Sequence, residues 1–235
     1  MPSERFFSDC DYQIGGLASI VGAELHHLAH VMRIKENEEV ELVNGRGALA
    51  SAKVLRIDKK QAELKIFSLD QQEIGPPRLL LAFPLMRPSK MEWVIEKGTE
   101  LGADSFQIYP AQFSEKDSLS ANQLERLRTI SISAMKQSGR LTLPVIQIIS
   151  DLKEIWPFSG TLYFGDIDPN APYLWDQKTL FPALFVSGPE RGFSEKELKL
   201  LSQKESKGVR IHPNILRAET APLAALCLLS SKIIF

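Results

Sequence analysis

The order of apolar and polar residues changes character once along the chain, at the Gly-Pro-Pro turn of residues 75–77. Before this turn, short segments alternate apolar and polar residues with a period of two, which is typical of half-buried antiparallel strands. These segments are EVELVNGRG, ASAKVLRI and AELKIFSL. The pair Asn44-Gly45 predicts a hairpin turn because both residues tolerate positive φ, and a helix is predicted near residues 23–32. We therefore expect a small β-rich barrel domain over residues 1–72.

After the turn, short apolar segments of strand character alternate with segments of helical periodicity. The strand-like segments are LLLAF, FQIYP, VIQII, TLYFG, ALFVS and VRIHP, and the helical ones are MEWVIEKGTEL, QLERLRTISISAMKQ, SEKELKLLSQ and TAPLAALCLLSSKI. This alternation predicts a parallel α/β sheet over residues 78–235, with residues 73–77 as a linker. Ligands of open parallel sheets bind beyond the carboxyl ends of the strands. The loops after TLYFG, ALFVS and VRIHP are therefore the candidate ligand site.

Composition excludes several classes of protein. With 235 residues, 44% hydrophobic and 24% charged, the chain is neither disordered nor collagen-like nor a coiled-coil rod. No apolar segment approaches the ~18 residues that span a bilayer, and the charged N-terminus has no signal-peptide core. We therefore expect a cytoplasmic protein without membrane contact. Cys10 and Cys227 are too few for a disulfide framework or a cysteine-rich zinc site.

The segment SGPERGFSEKEL, which follows the strand ALFVS, is a candidate ligand-binding loop. Gly188 and Gly192 bracket a Pro-Glu-Arg turn, and glycine lets backbone amides approach a ligand closely. Ser194 and Glu197 have the spacing of a capping box at the start of the next helix. A plain connection between strand and helix is the alternative. The glycine spacing fits neither a Walker A loop nor a dinucleotide-binding fingerprint.

Two other turns carry charged residues, and each pair has two possible interpretations. Arg217 and Glu219 open the last helix, where they either lock a buried turn or line a pocket. Lys136 and Arg140 flank the Gly139 that ends a helix. There they either complement the helix dipole or bind phosphate.

The first helix of the second domain and the histidines of HHLAH support structural interpretations. Helical spacing predicts these core residues: Met91, Trp93, Val94 and Ile95. Gly98 in the same helix indicates close packing or a bend. His26 and His30 have the spacing of two metal ligands, but neither cysteines nor a carboxylate pattern accompanies them. We therefore favour a surface helix there and expect no metal.

Seven motifs follow one another along nearly the whole chain. They are RFF (5–7), HHLAHVMRIKENEEVELVNGRG (26–47), KMEWVIEKGTELGA (90–103), FSEK (113–116), QSGR (137–140), SGPERGFSEKE (187–197) and ILRAETA (215–221). Each motif alone is weakly specific. In order and spacing, however, the set resembles the bacterial 16S ribosomal RNA (uracil-N3)-methyltransferases, a family of the SPOUT class.

This resemblance implies an N-terminal PUA-like RNA-binding β-barrel. It also implies a C-terminal α/β domain with a parallel sheet and a trefoil knot, which binds S-adenosylmethionine and forms a homodimer. The implied reaction methylates N3 of one uridine in the 16S ribosomal RNA of the small subunit. The implied cofactor contacts are Phe164, Gly165, Ser187, Gly188, Pro189, Glu190, Gly192, Ile211, His212, Leu216, Arg217, Ala218 and Thr220.

The implied chemistry needs alignment of the methyl carbon with N3 and loss of the N3 proton. Cationic side chains stabilise a uridine anion as it forms, and the candidates are Arg140 and Arg217. Glu190 is the candidate orienter or proton acceptor. A uridine N3 inside a base pair is inaccessible, so we expect the target to be unpaired or flipped.

Affinity for RNA is expected from local contacts to phosphates, since the net charge of −1 excludes a globally basic binder. The candidates are Arg5, Arg33, Lys35 and Arg46 in the first domain and Lys90 and Lys97 in the second. Residues 1–75 hold 9 Lys+Arg against 12 Asp+Glu. We therefore expect specificity to depend on the shape of assembled ribosomal RNA rather than on broad basic attraction.

The chain departs from the family pattern at two positions that matter for the site. Arg191 stands where a second glycine is usual, and Ala218 stands where a threonine is usual. If position 191 requires a positive φ, an arginine there is strained. These departures motivate one alternative, a non-catalytic ribosome-assembly factor on the same fold. A related methyltransferase with another RNA target is a second alternative, which the sequence leaves open.

The last predicted helix, TAPLAALCLLSSKI, is apolar around much of its circumference and needs cover on more than one side. Burial within its own domain is one interpretation. The other is a homodimer interface, in which Arg140 of one subunit reaches the pocket of its partner.

Overall fold

The chain forms two compact units. The computed structural model describes residues 4–114 and 118–233, so Glu115 and Lys116 of the motif FSEK lie outside the described residues. The first unit comprises Met1–Gly75 and Ile132–Leu143, and the second comprises Pro76–Ser131 and Pro144–Phe235. The predicted domain boundaries did not assign residues 132–143 to the first unit. In the sequence, these residues continue the helical periodicity of the segment before them, so no pattern separates the two.

A five-stranded sheet forms the first unit. Its strands are β1 (Arg5–Phe7), β2 (Leu17–Val21), β3 (Glu39–Val43), β4 (Ala48–Ile57) and β5 (Gln61–Gln71). The order is β1-β3-β4-β5-β2, with β1 parallel to β3 and the other neighbours antiparallel. Alternate residues of β4 are buried, namely Ala48, Ala50, Ala52 and Val54, as the period of two predicted.

The predicted hairpin joins β3 to β4, but its turn differs in detail. Positive φ falls on Gly45 (72°) and Gly47 (85°) and not on Asn44. Asn44 instead accepts hydrogen bonds at Oδ1 from the backbone N–H groups of Arg46 (2.8 Å) and Ala48 (3.2 Å). The asparagine therefore shapes the turn through its side chain, as Asx turns do.

The helix predicted near residues 23–32 is present in two pieces. An α-helix, α1 (Gly22–His26), continues as a π-helical segment over His27–Val31. The His26 and His30 rings pack on each other with centroids 5.0 Å apart. Among residues 4–114 and 118–233, no three His, Cys, Asp or Glu side chains form a cluster that could hold a metal ion.

The second unit contains the predicted parallel sheet. Its strands are β6 (Leu79–Pro84), β7 (Ser105–Tyr109), β8 (Val145–Ile148), β9 (Thr161–Gly165), β10 (Ala183–Val186) and β11 (Lys207–Val209). The order is β11-β9-β10-β6-β7-β8, and every neighbouring pair is parallel. This confirms the predicted mixed α/β class, whereas the trefoil knot stays a prediction.

Four further helices accompany this sheet. They are α2 (Pro88–Glu100), α3 (Ala121–Ser138), α4 (Glu195–Gln203) and α5 (Ala221–Ser230). The predicted capping box at α4 is present, since Ser194 accepts from the Glu197 N–H and Glu197 accepts from the Ser194 N–H. α3 ends at the predicted residue, and Gly139 follows it with a φ of 82°. Within the described part of the chain, no helix combines the length and the apolar character that crossing a membrane requires.

Two predictions about the second unit are wrong. The strand predicted at VRIHP lies two residues earlier and is shorter, because β11 covers Lys207–Val209, Arg210 makes only an isolated parallel bridge to Tyr173, and residues 211–213 form a loop. Trp93 is not a core residue but is 50% exposed. The buried face of α2 contains Met91, Val94, Ile95 and Gly98, and a helical repeat of 3.6 residues places position 93 on the opposite face.

Gly98 shows the close packing that its place within α2 indicated. A Cβ atom added there would lie 2.6 Å from Cε1 of Phe106, and both residues are fully or nearly buried. Gly98→Ala is therefore expected to lower the free energy of unfolding by about 1–3 kcal/mol through overpacking, measured by urea denaturation.

Gly75→Ala is the matched control, because a Cβ atom there meets nothing within 4 Å. Its effect should stay within about 0.5 kcal/mol. A stabilised Gly98→Ala variant, as helix propensity alone would give, would contradict the packing.

Candidate functional site

A cavity of about 680 Å³ lies at the carboxyl ends of three neighbouring strands. Its lining comes from the segments Gly165–Ile167, Ser187–Phe193 and Arg210–Ala218, which follow β9, β10 and β11, together with Lys90 and Ala221. This is the edge at which open parallel sheets bind ligands. The volume falls within the range of about 300–1,000 Å³ that is usual for small-molecule sites.

The cavity brings together most of the residues that the family resemblance named as cofactor contacts. Those in the lining are Gly165, Ser187, Gly188, Pro189, Glu190, Gly192, Ile211, His212, Leu216, Arg217 and Ala218. Phe164 and Thr220 are not in the lining. Phe164 is buried behind it, with its ring edge-on to Phe193 at 6.1 Å, and Thr220 is exposed at the start of α5.

Sequence reasoning missed several lining residues. Lys90 was expected to contact RNA, and Asp166, Phe193 and Arg210 were not singled out. Lys90 lies in the first turn of α2, about a hundred residues before the loop it meets, so no local pattern indicates its position. Arg210 was not considered for the ligand site because it was expected to lie within the strand VRIHP and not in the loop after it.

The Gly188–Gly192 loop has an unstrained backbone at Arg191. The positive φ of the loop, 78°, belongs to Gly192, and Arg191 has an ordinary φ. The Arg191 guanidinium lies over the Phe113 ring, 5.1 Å from its centroid. Arg191 is therefore not strained. Of the two departures that suggested a non-catalytic protein, only Ala218 remains.

An ion-pair cluster fixes one wall of the cavity. The Lys90 ammonium donates a hydrogen bond to Glu190 and lies 3.3 Å from Oε2 of Glu219. The hydrogen bond to Glu190 raises the pKa of Lys90, and the same bond lowers the pKa of Glu190. Lys90 is therefore a stable cation and Glu190 a weaker base than a free glutamate. The contact with Lys90 holds the Glu190 carboxylate in place, as an orienting role requires.

Arg217 and Glu219 do not form the buried pair considered above. The Arg217 side chain is 84% exposed, while that of Glu219 is 14% exposed, and their closest N–O distance is 3.9 Å. Arg217 thus presents a guanidinium at the cavity rim. The other cationic candidate, Arg140, belongs to the first unit, where its guanidinium donates to Thr142 Oγ1 at 3.3 Å.

The six RNA-binding candidates fall into two groups. Arg5 pairs with Glu41 at 2.7 Å, Arg46 with Asp9 and Asp11, Lys97 with Glu96 and Glu100, and Lys90 with the cavity glutamates. Arg33 and Lys35 are exposed and have no ion pair with any residue that the structure describes. The paired cations already have carboxylate partners, so Arg33 and Lys35 are the better candidates for phosphate contacts.

Comparison with known families matches both parts of the chain. Residues 74–230 match the model of the RNA methyltransferase domain. Residues 20–67 match the model of the RNA methyltransferase PUA domain.

Individual relatives are similar over most of their length. The ribosomal RNA small subunit methyltransferase E of Bacillus subtilis (strain 168) is 28% identical over 90% of this chain and 89% of its own. The protein of the same name from Synechocystis is 29% identical, over 91% of this chain and 72% of its own. The crystal structure of the one from Neisseria gonorrhoeae, bound to S-adenosyl methionine, is 27% identical, covers 97% of both chains and superposes with a TM-score of 0.88.

The matched domain spans well over half of the chain and includes every residue of the cavity. Six of the seven motifs that suggested the family lie within the two matched regions, and only RFF (5–7) precedes them. The chain therefore belongs to the RNA methyltransferase family, with a PUA domain before the methyltransferase domain.

Proposed function

We propose that this protein transfers the methyl group of S-adenosylmethionine to N3 of a uridine in 16S ribosomal RNA, the one conventionally numbered 1498. The observation that carries the proposal is the cavity beyond β9, β10 and β11, built from the loops that the family motifs named. The names of the relatives support the substrate, and the ligand of the Neisseria protein supports the cofactor. Such an enzyme works where ribosomes are assembled, so we place it in the cytoplasm.

The residues present fit the cofactor. Ser187 lines the cavity, is only 2% exposed, and its Oγ has no hydrogen-bond partner among the described residues. A buried hydroxyl of this kind requires a partner, which a bound ligand supplies. The Gly188–Gly192 loop adds backbone groups at close approach. When bound, S-adenosylmethionine supplies an activated methyl group on a sulfonium.

The chain's own residues then bind and orient the reactants and neutralise the charge that develops on the uracil. Arg217, exposed at the rim, is placed to stabilise negative charge on the uracil ring as its N3 proton leaves. Lys90 holds Glu190 in position through their hydrogen bond. Because this bond holds the carboxylate on Lys90 and lowers the pKa of Glu190, we assign Glu190 an orienting role.

The proposed partners are RNA and a second copy of the chain. Residues 1–72 are the proposed RNA-binding domain, with Arg33 and Lys35 on its surface as phosphate contacts. A homodimer is proposed because α5 keeps apolar side chains partly uncovered along its length, Leu223 and Leu228 among them, with Cys227 exposed.

Methylation of isolated small ribosomal subunits tests the reaction. Subunits from a strain lacking the protein are incubated with the purified enzyme and deuterium-labelled S-adenosylmethionine, and nucleosides are then identified by mass spectrometry. The label is expected in N3-methyluridine. Label in another nucleoside would show a different RNA target, and cofactor binding without any label would support an assembly factor.

Gly188→Trp tests the position of the cofactor. A Cβ atom at Gly188 would already lie 3.2 Å from the Phe193 ring, so an indole there must enter the cavity. Calorimetry is expected to show at least about a hundredfold weaker binding, equivalent to about 2.7 kcal/mol. Gly75→Trp, at an exposed position with nothing within 4 Å of its Cβ, is the control. Normal binding by Gly188→Trp would mean that the site is misplaced.

Mixing two inactive variants tests shared sites in a homodimer. If Arg140 of one subunit serves the cavity of its partner, a mixed dimer of Arg140→Ala and Gly188→Trp has one site with both defects and one with neither. Random reassociation should then restore about a quarter of wild-type activity. A monomer in sedimentation would contradict the dimer, and an inactive mixed dimer would contradict only the shared site.

A further inference from the structure

The hydrogen-bond ladder between β10 and β6 meets a proline where the Gly188–Gly192 loop begins. The Ser187 N–H donates to the Ala82 carbonyl at 2.9 Å, which extends the parallel pairing one residue beyond β10. In a parallel ladder, the carbonyl of the same residue accepts from the N–H two positions further along the neighbouring strand. That position is Pro84, which has no N–H to donate.

Tyr109 supplies the missing donor. It ends β7 on the other side of β6, directly opposite Pro84 in the strand register. Its hydroxyl donates a hydrogen bond of 2.7 Å to the Ser187 carbonyl. Tyr109 is fully buried, and burial raises its pKa well above the usual value, so the hydroxyl stays protonated as a donor.

This bond fixes the first peptide of the loop. The Ser187 carbonyl and the Gly188 N–H belong to one planar peptide group and point in opposite directions. Holding the carbonyl on Tyr109 therefore fixes the direction of the Gly188 N–H. Ser187 and Gly188 both line the cavity, and neither the Ser187 Oγ nor the Gly188 N–H has a partner among the described residues. The Ser187 hydroxyl and the Gly188 N–H are therefore available to form hydrogen bonds with a ligand.

We propose that Tyr109 is a positioning residue for the cofactor, which orients the Ser187–Gly188 peptide by replacing the N–H that Pro84 lacks. The inference rests on the proposed function for the identity of the ligand. A purely stabilising role for the buried hydroxyl is the competing explanation, and two variants separate the explanations.

Tyr109→Phe removes the hydroxyl and keeps the ring. Calorimetric titration with S-adenosylmethionine is expected to show a Kd about tenfold higher, the usual effect of one buried hydrogen bond. The kcat at saturating S-adenosylmethionine should stay unchanged. Tyr163→Phe is the matched control, because it also removes a fully buried hydroxyl, one that donates to the Lys178 carbonyl at 3.0 Å. Neither tyrosine lines the cavity, but the Tyr163 hydroxyl bonds residues outside the lining, whereas the Tyr109 hydroxyl bonds Ser187 within it. The Kd of Tyr163→Phe should therefore equal that of the wild type.

Restoring a backbone donor should cancel the loss. In Tyr109→Phe/Pro84→Val, residue 84 has an N–H that can complete the ladder to the Ser187 carbonyl. The Kd is expected to return to within about twofold of the wild-type value, with Pro84→Val alone close to wild type. An unchanged Kd in Tyr109→Phe, or a double variant that binds no better than Tyr109→Phe, would overturn the inference. Loss of stability alone cannot produce this pattern.

Hydrogen exchange without any ligand gives an independent measure. Amides of residues 187–193 should exchange faster in Tyr109→Phe than in the wild type or in Tyr163→Phe, and the double variant should regain protection. If the wild type does not bind S-adenosylmethionine, the proposed function fails and the exchange data still decide the role of Tyr109. If the wild type binds and the loop exchanges equally in all variants, only the role of Tyr109 is wrong.

Discussion

The parallel register of β9 with its two neighbours is the constraint on which the cavity depends. Val186 at the end of β10 pairs with Phe164, and Val209 at the end of β11 pairs with Gly165. All three strands therefore end within one residue of each other, and their loops leave from one edge of the sheet. A slip of one residue would turn every side chain to the opposite face and displace a loop by about 3.3 Å. β9 and β10 are apolar and buried in their centres, as central strands of a parallel sheet are, whereas β11 is an edge strand in which only Val209 is buried.

Three of the cations named as RNA-binding candidates are neutralised by neighbouring carboxylates. Lys90, Arg46 and Lys97 each have two carboxylate neighbours, so little of their charge is available to attract a polyanion at a distance. Arg217 is different, since its side chain is largely exposed and its nearest carboxylate oxygen is 3.9 Å away. We therefore expect affinity for RNA to come from a few placed cations and from complementary shape. That agrees with the acidic balance of residues 1–75.

Periodicity predicted the strands and helices well because burial imposes it locally. LLLAF, TLYFG and ALFVS had to be buried strands, and Ser194 with Glu197 had to cap a helix. The strand bounds predicted at VRIHP were wrong, because apolar residues near the edge of a sheet also occur in a loop that lines a cavity. Lys90 and Tyr109 meet partners 100 and 78 positions away in sequence. Such pairs depend on how strands are ordered in the sheet, which no local pattern encodes. The φ angle at Arg191 likewise follows from the shape of the whole turn.

The helix α3 is shared between the two units. Leu127 belongs to the core around the parallel sheet, whereas Lys136, two turns later, pairs with Glu24 of the first unit at 2.5 Å. The first unit is consequently discontinuous in sequence, completed by a segment that the chain reaches only after entering the second. A gene fusion or deletion with a single junction near residue 75 would leave it without that segment. Recombination could therefore exchange this unit between proteins only by inserting two separated stretches of sequence.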